Sequence, residues 1–261
     1  MNDLFNPLLV IADSSNSNEQ NSAILVKISA SSLLRSLYTG SVTIFHEGKM
    51  PLFKVERRQI EEAFVSAARR EKPGTDGRGA SREFLFGLGK QVRPEPRQWV
   101  IIPDAAGLAL RNIDHLIPAD SQAAHAPAEV DFYWTKVMDR NEGGGEVSAS
   151  PCLWAVRGEY LPMVLERWKS AWSELGKDAK LDEATVWSQI VRDLPLRKKP
   201  FEKGEVYAPR IGSVDWEAVS HAAFVTVPDW PKDEQRKFLQ ALYFGTYFGD
   251  ETGLMLNILD P

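Results

Sequence analysis

The segment that most constrains the fold of this 261-residue chain is WVIIPDAAGLALRNIDHL, residues 99–116. It begins with a continuous apolar run at 99–102, which Pro103 and Asp104 end abruptly. A short apolar run rich in β-branched residues and bounded by a breaker is typical of a buried strand of a parallel sheet. Because open α/β sheets bind ligands at the carboxyl ends of their strands, the sequence predicts that Asp104 lies at a ligand site.

A second apolar run, residues 8–12, ends at Asp13 and is followed by a polar stretch. The loop after the first strand of an α/β sheet commonly receives a nucleotide, which makes Ala12 and Asp13 candidate cofactor-binding residues. A solvated turn is the alternative. Helical spacing over 23–38 and a further apolar run at 41–45 complete a strand–helix–strand unit, which predicts a parallel pair of strands.

The remaining elements are predicted from apolar periodicity and from breaker residues. The helix with the clearest apolar stripe spans 160–175, with Pro162 in its first turn and Gly176 at its exit. We found no internal repeat and no convincing linker, so one domain over residues 1–261 is expected. Further helices are predicted at 57–70, 183–192 and 232–248, strands at 130–134 and 148–156, and an apolar tail at 254–259.

Composition and charge exclude several classes of protein. The net charge of −5, from 31 Lys and Arg against 36 Asp and Glu, argues against a general nucleic-acid binder. No apolar run approaches the roughly 20 residues of a transmembrane helix. The amino terminus lacks the basic and apolar regions of a signal peptide, so a cytoplasmic location is the expectation.

The metal-binding and nucleophilic residue types give no strong motif. Cys152 is the single cysteine, which excludes an internal disulfide, and its apolar surroundings favour an unreactive thiol over a catalytic one. The four histidines are not paired at the spacing of metal ligands, and glycine patterns of Walker, Rossmann or nucleophile-elbow type are absent.

Three blocks in chain order carry a resemblance to a known family. They are residues 101–116, residues 148–158 (SASPCLWAVRG) and residues 182–189 (DEATVWSQ). Together they resemble the nucleotide-sugar-dependent glycosyltransferases of the GT-A fold, in particular the glycogenin- and galactosyltransferase-like group. In that group an apolar strand ends in Asp-x-Asp before a helical segment ending Asn-Ile-Asp-x-Leu. Segments of the forms Asn-Ser-Gly-Leu-Trp-Ala-Val-Arg-Gly and Asp-Gln-x-x-Trp-Asn-Gln follow.

The resemblance implies an α/β three-layer sandwich, in which a mostly parallel central sheet is flanked by helices. It also implies a protein that binds a nucleotide-diphosphate sugar, first of all a UDP-sugar, and transfers a hexose to a hydroxyl acceptor. In that setting Asp104 would contact the metal or the ribose, and Asp182 would lie near the sugar or the transfer centre as the catalytic candidate. Arg157 would neutralise a phosphate, with a surface ion pair as the alternative.

The chain departs from the family pattern where the chemistry is expected. The family's two acids hold Mn²⁺ or Mg²⁺, which neutralises the departing diphosphate. Asp104 matches the first acid, but Ala106 replaces the second, which puts the metal in doubt. The family's ligand histidine falls in a stretch that resembles 222–228, where no histidine stands and His221 only precedes it. Asp104 could equally form a turn or a helix cap.

Two further departures concern the sugar side of the site. Pro151 stands where the family has glycine, which adds bulk and removes a backbone donor, and Glu183 replaces the glutamine. These changes predict altered or lost catalysis. One alternative is a non-catalytic binding protein on the same fold. Another is a metal-independent transferase, which would need cations close to Asp104; the candidates by elimination are Lys198, Lys199 and Arg210.

Overall fold

The computed structural model describes residues 7–13, 20–36, 40–46, 60–61, 88, 92–117, 129–137, 148–175, 183–228 and 230–248. Within these ranges a seven-stranded sheet is flanked by helices and accompanied by a smaller three-stranded sheet. The described helices include none that is both long and apolar enough to cross a membrane. The predicted apolar tail at 254–259 and the candidate catalytic residue Asp182 lie outside the described residues.

Ten strands and five α-helices make up this part of the chain. The strands are β1 (Leu8–Asp13), β2 (Ser41–His46), β3 (Ile60–Glu61), β4 (Trp99–Pro103), β5 (Gly107–Ala109), β6 (Phe132–Val137), β7 (Ser148–Arg157), β8 (Lys198–Pro200), β9 (Val206–Tyr207) and β10 (Phe224–Thr226). The α-helices are α1 (Gln20–Arg35), α2 (Leu161–Leu175), α3 (Glu183–Asp193), α4 (Trp216–His221) and α5 (Lys232–Phe248). Two 3₁₀ turns lie at Asp114–Leu116 and Gly158–Tyr160.

The large sheet has the strand order β3-β2-β1-β4-β7-β6-β8. Its first four strands pair in parallel, as do β6 and β8, whereas β7 is antiparallel to both of its neighbours. The small sheet has the order β5-β10-β9. The predicted α/β class with a mostly parallel central sheet flanked by helices is therefore confirmed, as is the parallel pair β1–β2 connected through α1.

The strand β4 is buried on both faces, as its unbroken apolar run predicts. Alternate side chains point to opposite faces of a strand. Val100 and Ile102 therefore join the apolar cluster beneath α2 and α3, while Trp99 and Ile101 join the cluster on the side of α1 and the small sheet. Burying a side chain of this size contributes roughly 1.5–3 kcal/mol, so β4 is a main source of stability for the sheet.

A third apolar cluster joins α1 to α4, α5 and the small sheet. The Tyr247 hydroxyl of α5 donates to the Ala109 carbonyl of β5 at 2.6 Å, which ties the helix to this sheet. The helix α4 is capped by Asp215, whose Oδ1 accepts from the Glu217 and Ala218 amides. The Tyr247 contact thus holds strand β5 of the small sheet against α5.

Two sequence predictions are wrong in the described residues. The helix expected over 57–70 fails at Ile60–Glu61, which form a strand parallel to β2; the rest of that range lies outside the description. The helical segment expected after Asp104 is a short strand, β5, followed by the 3₁₀ turn Asp114–Leu116. In both cases pairing with a strand elsewhere in the chain outweighs the local periodicity.

Candidate functional site

The carboxyl ends of β1 and β4 meet at one edge of the large sheet. The two strands are parallel, with Leu8 opposite Val100 and Leu9 opposite Ile101. Continuing this register brings the backbone of Ala12 level with that of Asp104, with Asp13 one residue beyond. The structure therefore brings three of the predicted site residues to the same edge of the sheet, where open α/β sheets bind ligands.

Asp104 forms a turn directly after β4. Its carboxylate Oδ1 accepts a hydrogen bond from the Ala106 amide at 2.7 Å, and its own amide donates to the Cys152 carbonyl at 2.7 Å. An aspartate that accepts from the backbone two residues ahead closes an Asx turn. Asp104 thus has the turn-forming role, and one of its two carboxylate oxygens is already engaged by the protein.

Ala106, at the position of the family's second acid, faces the protein interior. It is only 4% exposed and belongs to the third apolar cluster, together with Leu25 and Ile28 of α1. Its carbonyl accepts from the Val227 amide at 3.1 Å. The methyl group at this position therefore fills apolar space and offers no ligand atom.

An irregularity in β7 carries Pro151 and Cys152 to the same edge. Trp134 pairs with Trp154, but Thr135 pairs with Ser150, so residues 151–153 are extra on the β7 side. The Thr135 hydroxyl donates to the Leu153 carbonyl at 2.7 Å and stabilises the irregularity. Such bulges are over-represented next to active sites.

Cys152 is buried within this irregularity. Burial raises the pKa of its thiol from 9.0 to about 11, and the nearby Asp104 acts in the same direction, while hydrogen bonds with Ser150 and Thr135 lower it. A thiol with so high a pKa remains protonated at neutral pH and is a poor nucleophile. This is the unreactive cysteine that its apolar sequence context predicts.

The small sheet begins directly after the turn at Asp104, with strand β5 paired to β10. Thr226 of β10 lies opposite Gly107 of β5. A Cβ at Gly107 would overlap the Phe224 ring, so glycine is required for this close approach. His221 ends α4, and Ala222 and Ala223 separate it from β10. The stretch that resembles the family's histidine-bearing strand, residues 222–228, therefore contains no histidine.

The donor set at this edge does not fit a divalent cation bound as in the family. Among the described side chains, Asp104 has one carboxylate oxygen engaged and Ala106 has no side-chain oxygen. Mg²⁺ and Mn²⁺ prefer several hard oxygen ligands, with carboxylates supplying the charge. In the part of the chain that the structure describes, no three His, Cys, Asp or Glu side chains are grouped so that they could hold a metal.

Arg157 lies at the other end of β4. It pairs with Trp99, four residues before Pro103, and is therefore about 13 Å along the strand from the carboxyl end. Its Nη1 donates to the Arg97 carbonyl at 2.7 Å, and its guanidinium carbon lies 4.5 Å from the centroid of the Trp99 ring. Burial lowers the pKa of Arg157, whereas Asp131 raises it. The structure does not bring Arg157 and Asp104 together.

The suggested cations are also placed elsewhere. Lys198 and Lys199 pair with the first two residues of β6, and Lys198 donates to the Arg192 carbonyl at the end of α3. Burial lowers the pKa of Lys198. Arg210 is exposed in a turn closed by a bridge to Ser213. Lys198 and Lys199 are therefore level with the first residues of β6, away from the edge at which β4 and β6 end.

Lys136 is a further cation, which no sequence motif singled out. Both β4 and β6 are antiparallel to β7, so they run in the same direction and end at the same edge. Lys136 is exposed and is the next-to-last residue of β6, where it pairs with Ala149. Two strand spacings separate β6 from β4, which is roughly 10 Å. The sequence signal for Lys136 is a basic residue two positions after the predicted strand 130–134.

A separate depression lies beside β6 and β8. Tyr133 and Phe201, whose rings stack with centroids 5.8 Å apart, contribute to its lining together with His115 and Glu205. His115 Nε2 lies 3.0 Å from Glu205 Oε2, and its Nδ1 lies 2.7 Å from the Asn112 carbonyl. These contacts tie the 3₁₀ turn Asp114–Leu116 to the residues that precede β9.

No protein-family model and no curated protein sequence matches the chain. Among solved structures it is similar to a glycosyltransferase involved in the glycosylation of the major capsid of PBCV-1, with 11% identity, TM-score 0.51, and coverage of 90% of this chain and 99% of that one. It is similar to the galactosyltransferase LgtC in complex with donor and acceptor sugar analogs, with 13% identity, TM-score 0.51, and coverage of 90% and 95%.

A third similar structure is the bifunctional glycosyltransferase WbbM, with 12% identity and TM-score 0.53. That match covers 99% of this chain and 52% of the WbbM chain. At these identities the likeness concerns the fold alone. This chain has the fold of the GT-A-type glycosyltransferases.

Proposed function

We propose that this chain is a glycosyltransferase-like protein that binds a nucleotide-diphosphate sugar, first of all a UDP-sugar, at the edge where β1 and β4 end. The observation that carries the proposal is the near-complete GT-A scaffold with Asp104 and the backbone of Ala12 and Asp13 at one ligand-binding edge. The similar LgtC structure holds donor and acceptor sugar analogs, which supports a sugar donor and an acceptor here too.

The proposed reaction transfers a hexose to a hydroxyl group. The acceptor oxygen forms a bond to the anomeric carbon of the sugar and gives up its proton to the departing diphosphate, while the bond from that carbon to the diphosphate oxygen breaks. Negative charge then develops on the departing diphosphate and requires a cation nearby. Lys136 is the described residue that we assign to this task, because it is exposed at the same edge as Asp104.

The roles of the other candidates follow from the resemblance and remain proposals. Asp182 directly precedes α3 in the chain, and we propose that it lies near the sugar or the transfer centre. Ala12 and Asp13 are proposed to border the nucleotide. We give Arg157 no part in the proposed site, because its guanidinium packs on Trp99 at the far end of β4.

A non-catalytic binding protein is the second candidate function, and one observation favours it. The Asp104 carboxylate closes a turn and Ala106 is in the apolar core, so the charge arrangement of a metal-dependent transferase is lost. Under this alternative a nucleotide sugar still binds, but the sugar is not transferred. Release of UDP from a UDP-hexose separates the two candidates, since only an active transferase or a donor hydrolase produces it.

A thermal-shift panel of UDP, GDP and CDP, each with Mn²⁺ and with EDTA, tests binding itself. A nucleotide at 100 times its Kd adds roughly 2.7 kcal/mol of stability, enough to raise the melting temperature by several degrees. Lys136→Ala should reduce the shift, whereas Lys169→Ala, which changes an exposed lysine of α2, should leave it unchanged. If no nucleotide stabilises the protein under either condition, both candidate functions fail.

A further inference from the structure

We propose that Asp104 serves to hold the turn after β4, and that ligand binding at this edge does not require a divalent cation. The first part concerns the folded protein alone. The second part rests on the proposed function, because it concerns how a diphosphate is bound there.

The backbone around Asp104 is fixed on three sides. Its amide donates to Cys152, its carboxylate accepts from the Ala106 amide, and the Ala106 carbonyl accepts from the Val227 amide. These bonds join β4 to the irregular part of β7 and to the residue that follows β10. Because Oδ1 accepts from the Ala106 amide, Asp104 would offer a metal ion mainly its second carboxylate oxygen, Oδ2, and could not bind it through both oxygens without weakening the turn.

A single substitution at Ala106 cannot restore a functional second acid. The Ala106 methyl lies in a cluster formed by Leu25 and Ile28 of α1, Leu108 of β5 and Val225 of β10. A carboxylate there would lose its hydration among these four apolar side chains, none of which carries a charge or a hydrogen-bond donor.

The number of carboxylates decides the affinity of such a site for a hard divalent cation. Among the described side chains at this edge, Asp104 supplies one carboxylate, with one of its oxygens engaged. This single acid would hold Mg²⁺ or Mn²⁺ far more weakly than a two-acid site. The negative charge of the diphosphate is then neutralised by cationic side chains such as Lys136, without a metal ion.

Three variants without any ligand test the turn role of Asp104. Asp104→Asn should melt close to the wild-type temperature, because an amide oxygen also accepts from the Ala106 amide. Asp104→Ala should melt about 2–4 °C lower, as expected for the loss of one capping interaction in a chain of this size. Ala106→Asp should lower the melting temperature by more than Asp104→Ala, because it buries a carboxylate.

Nucleotide binding by the same proteins tests the metal. The stabilisation by UDP should be equal in EDTA and in Mn²⁺, and Asp104→Asn should retain it. The proposal is overturned if Mn²⁺ strengthens UDP binding tenfold or more, or if Asp104→Ala melts at the wild-type temperature. If no nucleotide binds at all, the proposed function fails, while the melting series still decides the role of Asp104.

Discussion

Strand β7 contributes to two regions that are held together in different ways: the apolar core beneath α2 and α3, and the candidate site at the end of β4. On the side of α2 and α3, the rings of Trp154, Trp168 and Trp187 lie with centroids 4.4–6.1 Å apart and are fully buried. The indole N–H groups of Trp154 and Trp187 make no hydrogen bond within the described residues, so packing outweighs their polar requirement. At the carboxyl end of β4, by contrast, hydrogen bonds to backbone groups hold the turn at Asp104.

This difference separates what maintains the fold from what would perform the chemistry. The tryptophan cluster needs volume and shape, which large apolar residues supply without any specific ligand. The proposed chemistry at the Asp104 edge would need particular charges, and Ala106 does not provide one. A GT-A scaffold can therefore persist while its metal-binding residues are exchanged, because different residues carry the two properties.

The largest expected effect concerns the tryptophan cluster. Trp168→Ala should lower the free energy of unfolding by about 3–5 kcal/mol, because it leaves a cavity among rings that cannot close around it. Chemical denaturation followed by circular dichroism measures this. Trp216→Ala is the matched control, since Trp216 is 40% exposed and its loss should cost far less. Equal costs for the two variants would contradict the assignment of stability to the cluster.

A smaller effect is expected beside the candidate site. Gly107→Ala should destabilise the protein by about 1–3 kcal/mol, because the added methyl overlaps the buried Phe224 ring. Adding Phe224→Leu to this variant should recover part of the loss. A double-mutant cycle measured by denaturation gives the coupling energy of the pair. Additive effects would show that the close approach of β5 and β10 does not limit this position.

The smallest of these effects is a loss of stability at alkaline pH. Burial raises the pKa of Cys152 from 9.0 to about 11, so the thiol ionises more readily in the unfolded chain than in the folded one. The protonated thiol's contribution to the free energy of unfolding is complete below pH 9 and is lost as the pH rises toward 11. Between pH 8 and pH 10 the unfolding free energy should fall by about 1 kcal/mol on account of Cys152. Cys152→Ala should remove this part of the decrease.

Tyr247 extends the alkaline decrease beyond Cys152. Burial raises the pKa of its phenol from 10.0 to about 12, so its contribution is lost between those two values. Unfolding free energies measured at pH 8, 9, 10 and 11 for the wild type and for Cys152→Ala separate the two groups. An identical slope in both proteins would mean that Cys152 ionises equally in the folded and unfolded chains.

The elements with strong local patterns were predictable from the sequence. The apolar run of β4, the stripe of α2 and the last helix, α5, lie at or within one residue of the predicted bounds. Their side chains repeat at the period of the structure they form. Strand β5 was not predictable in this way, because its partner β10 lies more than a hundred residues later in the chain.

The site was predictable in place but not in detail. A strand ending in an acid locates the edge, yet the same Asp104 can bind an ion or accept from the amide two residues ahead, and only the structure shows the second. Arg157 illustrates a different limit. Its position depends on the antiparallel register of β7 against β4, which places it beside Trp99, and no local pattern encodes that register.

The most direct test of the account is the affinity for UDP measured by isothermal titration calorimetry in EDTA and again in Mn²⁺. We predict binding in both conditions, with Kd values that agree within about threefold, corresponding to less than about 0.7 kcal/mol. Binding that appears only with Mn²⁺, or that strengthens tenfold or more with it, would contradict the claim that this GT-A scaffold binds its ligand without a divalent cation.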